Sequence, residues 1–536
     1  MKNRFSLNIL PWILIICLST DALQQQALAH PLFTKSRWIV NKDGKRVKLA
    51  CVNWPSHLQP VLAEGLSWQP VDVISSRIRS MGFNCVRLTW PLALVNNQTI
   101  ASMTVENSFN SLGLHKSLAG IRANNGKFLR MTLPQAFKKV VSSLEKNKVM
   151  VVLDNHITTP GWCCSENDGS GFFGDKDFDS KLWIQGLNRM ATMFKGTKNV
   201  IGMSLRNELR GKNSNVDVWY RYMQEGAEVV HAANPNVLVI LSGLEFDKDL
   251  SFLRNKQVNV SFTRKLVFEG HWYGFSDNEN WVKNNANDFC GSFMNNMMNK
   301  FGFLLEQGYP VFLSEFGQDQ RGGNVNDNRY FSCILGVIAD LDMDWALWTL
   351  QGDYYLREGK QGPEEVYGVM SLDWGSVRNA SFLQRVRAVQ PPFQGPGVSG
   401  GKQHNIIFHT ASGLCVEDSL RLHSCYETPA WSYSPQRNII LEGTDFCLQP
   451  LGLGLPVDFG IGLNCSESNS NWEIISNSGL HLSSKLPNGE TVCLDVDKNG
   501  ILVTNQCRCL SKDSNCDPTS QWFKIVKATT KSTVRG

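Results

Sequence analysis

The chain has 536 residues and a formal net charge of +5; 42% of its residues are apolar and 19% are charged. This length exceeds one ordinary hydrophobic core, so we expect two domains, and the composition is typical of a globular protein. The small net charge, without a basic run interleaved with aromatic residues, argues against nucleic acid as a partner.

The N-terminal 29 residues have the pattern of a secretory signal peptide. Lys2 and Arg4 precede an apolar segment that reaches about Leu18, and small residues follow up to Ala29. Pro11 interrupts the apolar segment, which is shorter than a membrane-spanning helix, so a retained anchor is the less favoured alternative. We therefore expect a secreted protein with no membrane contact after signal cleavage.

The cysteines support export. The chain has 15 cysteines, and signal removal would take Cys17 and leave an even number, as expected for disulfides in an exported protein. Even numbers lie before and after residue 390, so each domain is expected to close its own bridges. Cys163 and Cys164 are adjacent and are expected to join different partners. Four sequons could carry glycans in a eukaryotic secretory pathway: Asn97, Asn259, Asn379 and Asn464.

After the signal, short apolar strands alternate with helical patterns. The eight predicted strands are Arg46–Trp54, Phe83–Trp90, Lys148–His156, Asn199–Glu208, Asn236–Gly243, Lys265–Gly274, Tyr309–Glu315 and Met343–Gly352. The predicted helices are Pro70–Gly82, Leu133–Lys146, Asp179–Phe194, Val216–Ala233 and Phe293–Gln307. This order predicts an α/β fold, a (β/α)8 TIM barrel over residues 30–389. A doubly wound open sheet is the alternative, but no glycine-rich phosphate loop follows the first strand.

The helical patterns stop at a segment rich in proline and glycine, residues 390–402, which we interpret as a linker. Residues 403–528 repeat imperfectly three times, and each repeat contains a cysteine pair and ends on a related segment, around Arg437, Trp472 and Trp522. Such a pattern predicts an all-β trefoil domain, followed by a tail over residues 529–536. Cys509 and Cys516 are close enough to close an inserted loop in the third repeat.

Two of the predicted strands end on a carboxylate, Glu208 after Asn207 and Glu315. Burying an acid is costly unless the acid has a purpose or a partner, and two acids at equivalent strand ends predict one pocket. Paired carboxylates are the groups that hydrolyse glycosidic bonds: one protonates the leaving oxygen, and the other attacks the anomeric carbon or activates water. We predict Glu208 and Glu315 as the catalytic pair, with Asn207 beside a sugar hydroxyl.

Other polar and aromatic residues lie at the same strand ends: Arg87, His156, His271, Tyr273 and Trp348. Arg87 and Tyr273 could hydrogen-bond Glu315 and keep it ionised, and His271 could lie near Glu208 and influence its protonation. Trp348 would offer a flat face to a sugar ring. The alternative for Arg87, His156 and Trp348 is a structural role in the core. Glu245 and Glu269 are interpreted either as supporting residues behind the site or as structural residues, because neither has a polar neighbour like Asn207.

Metal and serine chemistry are disfavoured. The histidines are scattered, no HExxH or paired CxxC spacing occurs, and GxSxG is absent. We therefore expect neither a metal nor another cofactor.

The order Arg87, His156, Asn207-Glu208, His271-x-Tyr273, Glu315 and Trp348 resembles glycoside hydrolase family 5, which contains cellulases and related β-glycanases. The resemblance covers about residues 35–389. It implies that Glu208 is the acid/base and Glu315 the nucleophile of a retaining double displacement. It also implies that Asn207 contacts the 2-hydroxyl, that Arg87 and Tyr273 support the nucleophile, and that His156, His271 and Trp348 line the sugar site. The loop over residues 158–175, which carries Trp162, Phe172 and Phe173, is expected to build substrate subsites.

The tail resembles a ricin B-like β-trefoil, a lectin fold. It departs from the usual Gln-x-Trp signature, since Ser470 and Ser520 replace the glutamine and Arg437 replaces the first tryptophan. The acidic residue that often holds a sugar hydroxyl is retained as Asp495 in the third repeat, so a weak lectin site is expected there. A purely structural trefoil is the alternative.

Together the two domains resemble secreted cellulase-like proteins of plants, which implies a location in the cell wall or apoplast. We expect a monomeric glycosidase that acts on a polysaccharide or oligosaccharide, in particular a β-1,4-glucan, and that carries a carbohydrate-binding module. Alternatives are a β-mannanase, an exo-β-glucosidase or a transglycosylase of the same family. From another class, the chain could be a lectin-like binder on an inactive barrel.

Overall fold

The computed structural model describes residues 30–398, 402–462, 465 and 467–530. The predicted signal peptide, part of the predicted linker, most of the predicted tail and the sequon Asn464 therefore lie outside the described residues. None of the helices among the described residues combines the length and the apolar character needed to cross a bilayer.

Eight parallel strands form a closed barrel, so the predicted barrel is confirmed. In chain order they are β1 (Ala50–Trp54), β2 (Cys85–Pro91), β3 (Met150–Ile157), β4 (Val200–Ser204), β5 (Leu238–Leu241), β6 (Leu266–His271), β7 (Val311–Phe316) and β8 (Asp344–Leu347). Each strand pairs with the next, and β8 closes on β1. All eight are fully buried because helices cover the outside and side chains fill the inside.

Helices connect the strands on the outside of the barrel. The longer ones are α1 (Val71–Ser80), α2 (Leu133–Lys146), α3 (Ser180–Met193), α4 (Val216–Ala233), α5 (Ala286–Met297), α6 (Val325–Leu341) and α7 (Ala380–Arg387). Shorter helical segments are Ala93–Asn96, Gln98–Ser102, Val105–Ser111, His115–Asn125, Asn280–Lys283 and Phe303–Glu306. The helix predicted over Phe293–Gln307 begins earlier, as α5, because the Asn285 side chain accepts hydrogen bonds from the backbone N–H groups of Asn287 and Asp288 and caps the helix.

The N-terminal end of the barrel is closed by a hairpin and by ion pairs. The hairpin strands are Phe33–Lys35 and Trp38–Val40, and Ile39 packs with residues inside the barrel such as Ile201. A second small hairpin, Leu356–Arg357 and Lys360–Gln361, follows β8 at the opposite end. Because the first hairpin closes the N-terminal end, the open face of the barrel is the one formed by the carboxyl ends of the strands, as expected for a barrel of this kind.

The C-terminal region is an antiparallel all-β domain, as predicted. Its strands are β9 (His404–His409), β10 (Leu414–Val416), β11 (Leu422–His423), β12 (Trp431–Tyr433), β13 (Ile439–Leu441), β14 (Phe446–Pro450), β15 (Val457–Ile461), β16 (Glu473–Ile475), β17 (His481–Lys485), β18 (Thr491–Val496), β19 (Leu502–Gln506) and β20 (Phe523–Ala528). Each predicted repeat contains one disulfide, Cys415–Cys425, Cys447–Cys465 or Cys493–Cys507. The fourth disulfide, Cys509–Cys516, closes the inserted loop, also as predicted.

One assignment within these repeats was wrong. The Trp472 indole donates a hydrogen bond to the carbonyl of Leu448, which directly follows the cysteine of the second repeat. In the first repeat the Trp431 indole donates to the carbonyl of Val416 in the same way. Trp431, and not the position of Arg437, therefore makes in the first repeat the contact that Trp472 makes in the second.

The two domains share a hydrophobic core. Ile406, Trp522 and Val526 of the C-terminal domain belong to the cluster that fills the space between the barrel and its helices. The Trp522 indole donates to the side-chain oxygen of Asn287 in α5 at 2.8 Å. The predicted linker is not a free spacer over its described part, because Phe393 is 3% exposed.

Candidate active site

The alternation of side chains along β2 places Arg87 inside the barrel. Val86 and Leu88 face outward and pack with the helices, so Arg87 between them must face inward. An isolated buried guanidinium would be very costly, and the charge is therefore held by several partners. Burial lowers the pKa of Arg87, but Asp154, Glu269 and Glu315 outweigh burial and raise it.

Arg87 connects the two strand ends on which the sequence places the acids. One terminal nitrogen, Nη1, donates to Glu315 at 2.7 Å and to Asn53 at 3.0 Å. The other, Nη2, donates to Asn207 Oδ1 at 2.8 Å and lies 3.0 Å from Asp154. The side chain thus fixes Glu315 and Asn207 with respect to each other.

Glu315 is buried and has a donor on each carboxylate oxygen. Oε1 accepts from Arg87, and Oε2 accepts from the Tyr273 hydroxyl at 2.8 Å. Burial raises the pKa of Glu315, while His271, Arg87 and the Tyr273 hydrogen bond oppose that rise. Both predicted contacts to Glu315 are therefore present, and they favour an ionised, oriented carboxylate.

Glu208 lies in a different environment. Its side chain is 16% exposed, and Oε1 lies 3.1 Å from Nδ1 of His271. Its backbone N–H donates to Asp247 at 3.0 Å, and its φ of 45° is in the left-handed region, which non-glycine residues adopt rarely and often at functional sites. Burial raises the pKa of Glu208 to about 7, although Arg210 and Arg87 act against it. A carboxyl with such a pKa can carry a proton near neutral pH.

The two acids are close together. An oxygen of Glu208, an oxygen of Glu315 and a ring nitrogen of His271 all lie within 4.8 Å of one another. Burial lowers the pKa of His271, which favours its neutral form, and its second ring nitrogen lies 2.9 Å from Ser314 Oγ. The same three groups could in principle share a cation, but Arg87 already supplies positive charge to Glu315 at 2.7 Å. The donor set thus fits paired-carboxylate chemistry better than a metal centre.

A cavity of about 450 Å³ opens over this pair. Glu208, Glu315 and Asn207 line it together with His156 and Trp348. His156 stacks on Trp348 with ring centroids 5.7 Å apart, and its Nδ1 lies 2.6 Å from Asp154. Burial holds the pKa of His156 well below its ordinary value, so the ring is neutral. These rings form an apolar surface with polar edges, of the kind that can pack against a sugar.

The loop over residues 158–175 only partly matches its prediction. Trp162 lines the cavity, where it stacks with Arg357 at 3.5 Å from the ring centre. Phe172 and Phe173 instead pack in the core between the barrel and its helices. Cys163 and Cys164 form a disulfide with each other, so the expectation of different partners was wrong. The two sulfurs lie beside the cavity, and the described chain brings no third cysteine to them.

Several residues of the site were missed from the sequence. Asn53 and Asp154 hold Arg87, and Asp247 holds the backbone of Glu208. Asp154 lies two residues before His156 on a buried strand, which is a weak signal, whereas Asp247 lies in a turn whose shape the sequence does not reveal. Glu269 is buried 3.8 Å from Arg87, and Glu245 is exposed and pairs with Lys300.

Comparison with known proteins identifies the barrel. The family model described as cellulase (glycosyl hydrolase family 5) matches residues 40–353, more than half of the chain. A "Glycosyl hydrolase 5 family protein" of Chamaecyparis obtusa is 44% identical over 520 residues, which cover 92% of this chain and 93% of the relative. The chain belongs to glycosyl hydrolase family 5. The prediction of a glycosidase is thereby confirmed.

More distantly similar proteins are an endoglucanase and an endocellulase. An "Endoglucanase" of Paenibacillus polymyxa is 21% identical over 352 residues, which cover 62% of this chain and 82% of the relative. The endocellulase of Pyrococcus horikoshii, solved in complex with cellotetraose, matches with a TM-score of 0.55 and 17% identity, and covers 68% of this chain and 99% of that chain. At this identity the structural likeness shows the fold.

The predicted lectin residue Asp495 lies in β18 and does not line this cavity. Its side chain accepts hydrogen bonds from Gln521 at 3.0 Å and from Asn505 at 3.1 Å, and the residue is 1% exposed. A sugar hydroxyl could reach this carboxylate only after these bonds open. The residue that supports Asp495 is Gln521, directly before Trp522, and not Ser520 at the place of the usual glutamine.

Proposed function

We propose that the protein is a retaining β-glycosidase that cleaves β-1,4-linked glucan chains, with Glu315 as nucleophile and Glu208 as acid/base. The observation that carries this proposal is the pair of acids within 4.8 Å of each other at the base of one cavity. Retaining enzymes hold their two carboxyl groups about 5 Å apart, whereas inverting enzymes need room for a water between them. The short spacing therefore supports double displacement.

The different surroundings of the acids support their roles. Glu315 receives donors on both oxygens from Arg87 and Tyr273, which favours the ionised form that attacks the anomeric carbon. Glu208 has no direct ion pair to arginine, and its pKa of about 7 lets it hold the proton that the leaving oxygen needs. A carboxylate that receives two donors and a carboxyl that holds a proton near neutral pH match the two roles.

The first step forms a bond between a Glu315 oxygen and the anomeric carbon while the bond from that carbon to the leaving oxygen breaks. The Glu208 proton moves to the leaving oxygen, and Glu208 becomes a carboxylate. In the second step Glu208 removes a proton from water, which attacks the anomeric carbon and releases Glu315. Asn207, held by Arg87, offers its amide N–H to the 2-hydroxyl of the sugar.

The substrate class is proposed from the relatives together with the shape of the site. The Pyrococcus protein binds cellotetraose, and the Paenibacillus relative is an endoglucanase. Trp348 and His156 present stacked rings beside the reacting acids, which suits the flat faces of β-linked glucose units. A β-mannan would differ in the orientation of the 2-hydroxyl next to Asn207.

For the C-terminal domain we propose a structural role for the barrel. Trp522, Ile406 and Val526 are part of the barrel's own outer core, and Arg329 of α6 donates to the carbonyls of Ser514 and Cys516. The closed surroundings of Asp495 favour this role over sugar binding at that residue.

Hydrolysis of defined oligosaccharides tests the proposal. Purified protein is incubated with cello-, manno- and laminari-oligosaccharides beside Glu208→Gln and Glu315→Gln, with the exposed Glu245→Gln as matched control. We expect cleavage of cello-oligosaccharides by the wild type and the control and loss in both site variants. Cleavage of manno-oligosaccharides in preference to cello-oligosaccharides would reject the proposed substrate.

The stereochemical course tests the spacing argument separately. NMR of the first product formed from a cello-oligosaccharide should show the β-anomer, which then equilibrates. Initial formation of the α-anomer would reject double displacement while leaving the glycosidase assignment intact.

A further inference from the structure

The Cys163–Cys164 disulfide is fixed to the segment that carries the acid/base. Arg210, two residues after Glu208, donates from Nε to the carbonyl of Ser165 at 2.9 Å and forms an ion pair with Asp168. Asp168 in turn accepts from the backbone N–H of Ser165 at 3.2 Å. The residue that follows the disulfide is therefore tied to the chain that follows Glu208.

The disulfide contacts the side chain of Asn207. Nδ2 of Asn207 lies 3.5 Å from Sγ of Cys164 and 3.8 Å from Sγ of Cys163. On its other side, Asn207 Oδ1 accepts from Arg87 at 2.8 Å. The arginine determines which end of the amide carries the oxygen, so the N–H₂ group must face the sulfurs. Asn207 and both cysteines line the same cavity.

We infer that the Cys163–Cys164 disulfide is a positioning element that keeps the Asn207 amide directed at the 2-hydroxyl of the bound sugar. This inference rests on the proposed function. Sulfur is a weak hydrogen-bond acceptor, so the contact holds the amide in place without satisfying its N–H group strongly. A sugar hydroxyl, which is a better acceptor, can then take up that N–H bond when the substrate binds.

A stabilising role does not account for this disulfide. A disulfide stabilises a protein mainly by closing a loop in the unfolded chain, and the effect grows with loop length. The sequence separation of Cys163 and Cys164 is 1, so the bond closes no loop between distant segments. The Cys51–Cys85 bond, with a separation of 34, joins two barrel strands and fits the stabilising role instead.

The inference is tested by replacing both cysteines, Cys163→Ala with Cys164→Ala. We expect kcat/KM for an aryl β-cellobioside to fall about tenfold, because a misplaced group in the site costs rate even when the chemistry is intact. The midpoint of urea unfolding should not change. The matched control is Cys509→Ala with Cys516→Ala, another short-range disulfide, which does not line the cavity and should leave kcat/KM unchanged.

Two further measurements separate positioning from a general disturbance. The matching substrate is the aryl β-cellobioside whose reacting sugar lacks the 2-hydroxyl. On this substrate the kcat/KM of the double alanine variant should fall much less than tenfold below that of the wild type. In an Asn207→Ala background, replacing the cysteines should cause little further loss. The inference would be overturned if the cysteine replacements lowered kcat/KM equally on the two substrates. It would also be overturned if their effect on kcat/KM were the same in the Asn207→Ala background as in the wild type.

If the alanine pair fails to fold, the serine pair, Cys163→Ser with Cys164→Ser, keeps side chains of similar size without the covalent bond. The same substrate comparison then decides the outcome. If the wild-type protein is inactive on both aryl substrates, the proposed function is rejected. If the wild-type protein is active and the cysteine variant has the same kcat/KM, only the role of the disulfide is rejected.

Discussion

The two ends of the barrel each contain buried charges, but they use them differently. At the N-terminal end Arg46 makes a two-point ion pair with Asp344, at 2.9 and 3.0 Å, and Lys48 pairs with Asp342. At the carboxyl end Arg87 is surrounded by Asp154, Glu269 and Glu315. Both clusters lie within the same architecture, and both contain fully buried cations.

The difference lies in how completely the acids are satisfied. The second oxygen of Asp342 accepts the backbone N–H groups of Phe393 and Gln394, and Asp344 accepts that of Leu49 at 2.7 Å. Glu208 instead faces a cavity and has a pKa of about 7. A buried ion pair is therefore no sign of function by itself; an incompletely neutralised acid beside open space is a better one.

The largest expected effect is at the carboxyl end. Replacement Glu315→Gln removes the proposed nucleophile and should lower kcat by roughly 10⁴- to 10⁶-fold. The midpoint of thermal unfolding should change little, because Arg87 keeps its other partners. Assays with an aryl β-cellobioside check the first part, and calorimetry checks the second. Retention of more than a few per cent of the activity would remove Glu315 from the proposed role.

At the N-terminal end, replacing a buried acid that pairs with a cation should lower the stability of the protein and leave its activity unchanged. Asp342→Ala leaves Lys48 buried without its partner and should reduce the free energy of unfolding by about 3–5 kcal/mol. Urea unfolding measures the loss, and kcat of the folded variant should match the wild type. A large fall in kcat at a temperature where the variant is folded would show that the two ends are coupled.

A smaller effect is expected when the support of Glu315 is weakened. Tyr273→Phe removes the hydroxyl that donates to Oε2 at 2.8 Å. That hydrogen bond lowers the pKa of Glu315, so its loss should raise the pKa and move the acidic limb of the kcat/KM profile to higher pH. We expect kcat to fall by about ten- to a hundredfold. An unchanged acidic limb would contradict this cause.

The smallest expected effect is on the alkaline limb of the profile of kcat/KM against pH. Glu208 must be protonated to act as an acid, so activity should decline as pH rises through about 7. Lys248, which lines the cavity, lowers the pKa of Glu208. Lys248→Met should therefore move the alkaline limb to higher pH by a few tenths of a unit. The exposed Lys283→Met serves as control, and a shift to lower pH would reverse the assigned sign.

Local sequence patterns are sufficient to predict the ends of the barrel strands and the repeats of the C-terminal domain. Strand ends in an α/β barrel are recognisable because an apolar run stops at a polar residue, and all such ends meet at one face. Glu208, Glu315, Arg87, His271 and Tyr273 are brought together for that reason, as the sequence predicted. The three repeats of the C-terminal domain are recognisable because a cysteine pair recurs in each of them.

Other features depend on contacts between segments far apart in the chain. The ion pairs of Arg46 and Lys48 join residues almost 300 positions apart, and no local pattern distinguishes Asp342 or Asp344 from surface acids. The loop after β3 shows the same limit. Its phenylalanines are buried by neighbouring helices while Trp162 reaches the cavity, a difference that depends on the path of the loop.

The sequence by itself thus determined the barrel, the second all-β domain and the acids at the strand ends, because these follow from periodicity and from residue type at element boundaries. Only the tertiary structure decided the pairing of Cys163 with Cys164, the closed surroundings of Asp495 and the shared core around Trp522. The physical reason is that burial, hydrogen bonding and pKa depend on which distant groups pack against a residue, and that information is not local to any stretch of the chain.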